Sequence, residues 1–230
     1  MPLSSLSAIF LLLWQSAASN SAELEKARDA QDRGALERYA SQLNAVAAKQ
    51  SNDAQALYRQ ALAESYLAEI AVEMGDKNLA RSSAESGIKS AERLTALKPE
   101  NSEYHRLLGT LCGQAVPGNV MTALKYGRCA QDELNKAVQL DPKSAMNYVS
   151  RGAGNYYLPQ AMGGGADVAI KDFQKAIELD ARSADAHLWL GIALRKVNRN
   201  AEAHKALEKA VSLNPARVWA KQQLAKTPPA

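Results

Sequence analysis

This sequence points to an all-α superhelix of about five stacked antiparallel helix pairs, and three observations carry that expectation. Residues 184–215 read as two short amphipathic helices around a turn at 197–200, and in the second Ala203, Ala206, Leu207, Ala210 and Val211 recur at i, i+3, i+4, i+7 and i+8. Small Gly191 and Ala203 let the two helices approach closely, Asn214-Pro215 stops the second, and a pair this small needs like neighbours to bury its apolar faces. The same spacing then recurs upstream. Leu108-Gly109 leads to Ala130, Leu134, Ala137 and Asp141-Pro142, and Arg151-Gly152 leads to Ala169, Phe173 and Ala176.

The series Leu190, Gly191, Ala203, Leu207, Ala210, Pro215, spread over about 34 residues, resembles the tetratricopeptide repeat, with His187 where that family carries an aromatic. The resemblance covers residues 23–225 and is most specific at 103–215. It implies a superhelical solenoid whose first helices line a concave surface, and a protein or peptide partner. It does not name that partner, because such repeats are scaffolds for many functions.

Taken in order, the chain opens with an apolar run at 3–18 that ends in Ser16-Ala17-Ala18, a small-x-small cleavage pattern. We expect 1–18 to be a signal peptide on an exported protein of the bacterial periplasm, although no Lys or Arg precedes the run. Membrane contact is expected only through that leader if it is retained. Helices at 23–32 and 35–49, around Arg33-Gly34, form a degenerate first repeat (23–52). A longer pair, 54–74 and 79–97, forms a second (54–99), with Gly75-Asp76 turning the chain and Pro99 ending it. Repeats follow at 102–142, 144–181 and 184–215, then a capping helix at 216–225 and a flexible tail at 227–230.

From the first small Ala onward the last three repeats keep one spacing, and what varies is the connection before it. Gly191 to Ala203 is 12 residues, Gly152 to Ala169 is 17 and Gly109 to Ala130 is 21, so extra residues enter between the helices of a pair. Insertions in repeat arrays fall on one face, often the functional one. Those here hold Pro117-Gly118 in one repeat and Tyr156, Tyr157, Pro159 and Gly163-Gly164-Gly165 in the next.

Charge excludes one class of partner. The net charge is +4 with Lys and Arg interspersed among Asp and Glu, so no basic stripe marks a nucleic-acid surface. Catalysis fares no better: His105, His187 and His204 make no i, i+4 pair, and Ser86-x-x-Lys89 lacks the companions of a serine hydrolase. Gly163–165 lacks a Lys-Ser/Thr and a preceding strand, and Asp167 opposes an anion there. We expect no enzyme activity, no metal and no cofactor. Cys112 and Cys129 sit on the two helices of one pair and form either a disulfide or two buried thiols.

Carried over from the family by position, the groove residues are Arg106, Met146, Val149, Tyr156, Tyr157, Leu188, Ile192, Arg195 and Lys196. The aliphatic and aromatic members supply apolar contact, while Arg106, Arg195 and Lys196 orient acidic groups on a partner. The alternative for Tyr156 and Tyr157 is burial under their own insertion. The expected function is a non-catalytic exported scaffold; the alternative is a ligand-binding accessory component of a periplasmic transport system, favoured by an enclosed pocket beneath 156–165.

Overall fold

The computed structural model describes residues 21–50, 52–116 and 120–229, with backbone alone at 120–122. The leader expected at 1–18 and the Pro117-Gly118-Asn119 part of the first insertion lie outside the described residues. The described residues are helical throughout: α1 (residues 21–29), α2 (Arg33–Lys49), α3 (Ala54–Met74), α4 (Lys77–Leu97), α5 (Ser102–Ala115), α6 (Val120–Leu140), α7 (Ala145–Tyr157), α8 (Ala166–Leu179), α9 (Ala184–Lys196), α10 (Asn200–Leu213) and α11 (Val218–Ala225). Hairpins α3/α4, α5/α6, α7/α8 and α9/α10 stack in sequence, and α3, α5, α7 and α9 pack on one another along one side. This is the helical solenoid expected from the repeat spacing. No described helix is long and apolar enough to cross a membrane.

Local chemistry explains where each helix starts. Asp32, Asp53, Asp76, Asn101, Ser144 and Ser183 each accept a hydrogen bond from a backbone N–H of the following first turn. Each such cap contributes about 1 kcal/mol. Capping also corrects two expected boundaries: with Asp32 and Asp76 as caps, α2 already contains Arg33 and Gly34, and α4 begins at Lys77.

The repeated glycine has a steric reason. A Cβ on Gly109 would lie 2.7 Å from Leu134, one on Gly152 2.5 Å from Phe173, and one on Gly191 2.5 Å from Leu207. The same first-helix glycine receives the same second-helix side chain in three successive pairs. A second device also recurs. His105 Nε2 lies 2.7 Å from the Pro99 carbonyl, His187 Nε2 3.2 Å from that of Ala181, and Asn147 Nδ2 3.1 Å from that of Asp141. Each tie spans six residues back to the preceding turn, so the two histidines hold the repeat junctions. Cys112 and Cys129 are bonded, with 5.9 Å between their Cα atoms, pinning α5 to α6 beside the irregular connection.

The two ends of the solenoid meet. Arg28 of α1 donates to Asp185 of α9 at 3.1 Å, and Asn214 donates to Asp29 at 2.7 Å. Arg217, just before α11, donates to Glu69 at 2.7 Å and also to Glu73, both on α3. Gln222 donates to Gln31 at 3.0 Å, and Gln31 to Glu73 at 2.7 Å. The first residue of the expected tail is likewise tied down. Thr227 is fully buried, receives Arg195 Nη1 at 2.7 Å on its hydroxyl, and gives its carbonyl to His204 at 2.6 Å.

A concave cavity walled by aromatic rings

Closure turns the concave groove into a bounded space. The α7 helix runs out at Tyr157, and the insertion after it folds back on itself through a 3₁₀ turn (Gln160–Met162). Gly163 sits at φ 85° and Gly165 at φ 106°, values that suit glycine, and the Gly165 N–H donates to the Asn155 carbonyl at 2.8 Å. That bond uses up the amide a phosphate cradle would need. Leu158, Pro159 and Met162 thereby become the rim of a cavity of about 480 Å³.

The walls of the cavity come from four parts of the chain. Glu69 and Glu73 enter from α3, Thr110 and Gln114 from α5, Leu134 from α6, and Tyr157, Trp189 and Trp219 from the C-terminal half. Glycines at 109, 113, 127 and 154 leave the helix backbones bare along it. Tyr157 and Trp189 meet edge to face with centroids 6.1 Å apart, as do Trp189 and Trp219 at 5.2 Å. Edge-to-face pairs add about 1 kcal/mol beyond area burial and hold the wall rigid.

The acidic end has its own electrostatics. Burial, followed by the neighbouring Glu69 charge, outweighs the Arg217 guanidinium and pushes the Glu73 carboxyl up from its ordinary 4.5 to about 7. Asp185 behaves oppositely: its burial would raise it, yet Arg28 and Arg217 hold it below the usual carboxylate range. Enclosure, with the nearby Tyr156 and Glu73, pushes the Tyr157 phenol up to about 12.

Of the expected groove residues, one lines this cavity. Tyr157 does, at 60% exposure. Tyr156 is half-buried against Trp189, with Lys196 Nζ 4.1 Å above its ring and 3.2 Å from its carbonyl, so both residues belong to the packing of α7 on α9. Met146 is exposed on the first turn of α7, away from the cavity. Five residues require correction. Val149 packs in a core cluster with Ala176 and Ala186, and Leu188 and Ile192 are buried against Trp219 and Ala220 of the last helix. That helix covers the face of α9 that a longer array would leave open. Arg106 is held by Glu103 at 2.6 Å and Ser150 at 3.2 Å; despite burial, the Glu103 charge keeps its guanidinium raised above its ordinary value. Arg195 is spent on Gln223 and Thr227. Neither arginine is free to orient a partner.

Sequence reading missed Glu69, Glu73, Trp189 and Trp219. One signal was there: beyond residue 18, Trp189 and Trp219 are the only tryptophans in the chain, and both line this cavity. Among the described residues no cluster of three or more metal-ligating side chains occurs.

Comparison with known proteins agrees with the architecture. The family model described as regulator of microtubule dynamics protein 1-3 matches residues 21–160, and that of the tetratricopeptide repeat matches residues 184–217. A thermophilic tetratricopeptide repeat protein of Thermus thermophilus superposes with a TM-score of 0.61 at 20% identity, covering 88% of this chain and 97% of that one. Small glutamine-rich tetratricopeptide repeat-containing protein 2 of Mycosarcoma maydis is 31% identical over 112 residues, 49% of this chain. Those residues span 30% of that relative's length.

Proposed function

The chain belongs to the regulator of microtubule dynamics protein 1-3 family, and on that premise we propose that it is a non-catalytic, exported scaffold whose concave cavity takes a short apolar segment of a protein or peptide partner. One observation carries this reading: an aromatic wall in which Tyr157 stays exposed at the cavity, while Trp189 and Trp219, packed between α9 and its neighbours, line it as well. A space of about 480 Å³ falls within the range of ligand pockets and is too small for a whole helix. It suits a few side chains of an extended segment, each Leu-sized group contributing about 2 kcal/mol on burial.

Replacing Tyr157 with a photo-crosslinking phenylalanine analogue in the native host tests the reading. An adduct of protein mass is expected. No adduct from position 157 would overturn a concave partner. A second reading, a small apolar ligand, is favoured by one feature, the rim of Leu158, Pro159 and Met162 that partly roofs the cavity. It predicts an adduct of small-molecule mass instead.

Export rests on the leader expected at 1–18. The family name speaks of microtubule dynamics, and microtubules are cytosolic. Fractionation separates the two: a processed product beginning near Ser19 outside the cytosol supports export. An unprocessed cytosolic chain that pellets with microtubules overturns it.

A further inference from the structure

We propose that the segment entering the cavity presents an arginine, its guanidinium seated between the Glu69 carboxylate and the rings of Trp189, Trp219 and Tyr157. This rests on the reading of the cavity as a partner site and adds the chemistry of what it accepts.

The first ground is charge. Glu69, Glu73 and Arg151 are the charged residues that line the cavity, and Arg151 is consumed by Asp172, which it grips at 2.6 and 3.1 Å. The wall is therefore acidic. Arg217, behind it, pairs with both glutamates, yet the closure cluster sets two guanidiniums, Arg28 and Arg217, against four carboxylates, Asp29, Glu69, Glu73 and Asp185. Uncompensated negative charge in a poorly solvated place attracts a cation. Burial raises the Glu73 carboxyl, so the fixed negative charge of the wall rests chiefly on Glu69.

The second ground is an internal precedent. The Arg217 guanidinium lies 5.7 Å from the centroid of the Trp219 ring while bonding Glu69 and Glu73. The chain thus already holds one guanidinium by an indole face and a carboxylate at the edge of the cavity. Trp189 and Tyr157 extend the aromatic wall away from Arg217, and the Glu73 charge reaches the Tyr157 phenol. Arginine suits such a site better than lysine, because a planar, weakly hydrated guanidinium stacks on rings and forks onto a carboxylate at once. The Thr110 hydroxyl, on a residue of the same wall, is buried with no hydrogen-bond partner among the described residues.

The test uses the full chain carrying Trp14→Phe, so that emission comes from Trp189 and Trp219. Three capped tripeptides, Leu-X-Leu, are titrated, with X as arginine, citrulline or norleucine. Citrulline keeps the shape and removes the charge. The arginine peptide is expected to bind about 10-fold tighter than the citrulline one, the size of a hydrogen bond to a charged group. Glu69→Gln should remove most of that ratio, and Tyr157→Leu should weaken the arginine peptide more than the norleucine peptide. Equal or tighter binding of the norleucine peptide overturns the arginine proposal and keeps the apolar-segment reading. Binding by none of the three overturns both. Agmatine binding as tightly as the arginine peptide overturns a protein source for the cation. Because Glu69 also holds Arg217, the melting temperature of each variant is measured, and Tyr157→Leu, at an exposed position, keeps the proposal decidable if Glu69→Gln unfolds.

Discussion

Gly152 is half of a contact, and its lack of a side chain is what Phe173 requires. Gly152→Ala would place a methyl 2.5 Å from that ring, on a second-helix residue that is itself fully buried, so the ring cannot swing away. We expect a loss of about 2 kcal/mol, as for overpacked cores. Gly127→Ala is the control. Nothing lies within 4 Å of the Cβ it would add in mid-α6, and the gain in helix propensity predicts up to about 1 kcal/mol of stabilisation. Urea titration of both variants reads the difference, and equal shifts would contradict the contact. Arg217 is a second residue whose burial sets the cost. Arg217→Met leaves Glu69 and Glu73 without a cation and is expected to cost about 3–5 kcal/mol.

Single helices carry a different lesson. α9 has two apolar faces, one against α10 through Gly191 and Leu207, the other against α11 through Leu188, Ile192 and Trp219. Leu188→Ala therefore reports core stability, with an expected cost of about 3 kcal/mol, and is unsuited to mapping a partner. Tyr157→Ala, on a residue exposed at the end of α7, is expected to leave the melting temperature within a degree or two of the parent and to reduce partner capture. Between α5 and α6 the disulfide closes a 17-residue separation. Chain-entropy arguments give about 3 kcal/mol for such a loop. Dithiothreitol should lower the melting temperature accordingly, and the Cys112→Ala variant should melt at the reduced temperature with or without reductant.

For the whole molecule, end-to-end closure makes stability depend on pH from both sides. The folded state raises the Glu73 carboxyl to about 7, so its contribution is full below the ordinary 4.5 and is lost as pH rises through about 7. Asp185 and Glu103 are held low; their contributions are present above their ordinary values of 3.8 and 4.5 and are lost on acidification. The melting temperature should therefore peak near pH 4.5, fall from there through about pH 7, and be lower on the order of 5 °C by pH 8. Glu73→Gln should flatten the alkaline limb and leave the acid limb in place. A parent protein equally stable at pH 6 and pH 8 would contradict the closure cluster as described.

Local chemistry was largely legible in the sequence: helix pairs from apolar spacing, close approach at Gly191, and the recurrence of that glycine at 109 and 152, because each depends on residues a few positions apart. The candidate site was legible only at Tyr157 and in the insertion after it, an irregularity against a regular spacing. What covers what was not. A position on a first helix reads as concave whether or not something lies over it, so Val149, Leu188 and Ile192 looked like groove and are core. Arg106 and Arg195 looked like free cations and are internal ties. The reason is curvature. Small rotations from pair to pair accumulate along the solenoid until α1 reaches α9 and α11, joining Arg28 to Asp185 and Asn214 to Asp29 across 157 and 185 residues. No periodicity in the sequence records that sum, and it is the sum that closes the groove into a cavity and brings two glutamates beside two tryptophans.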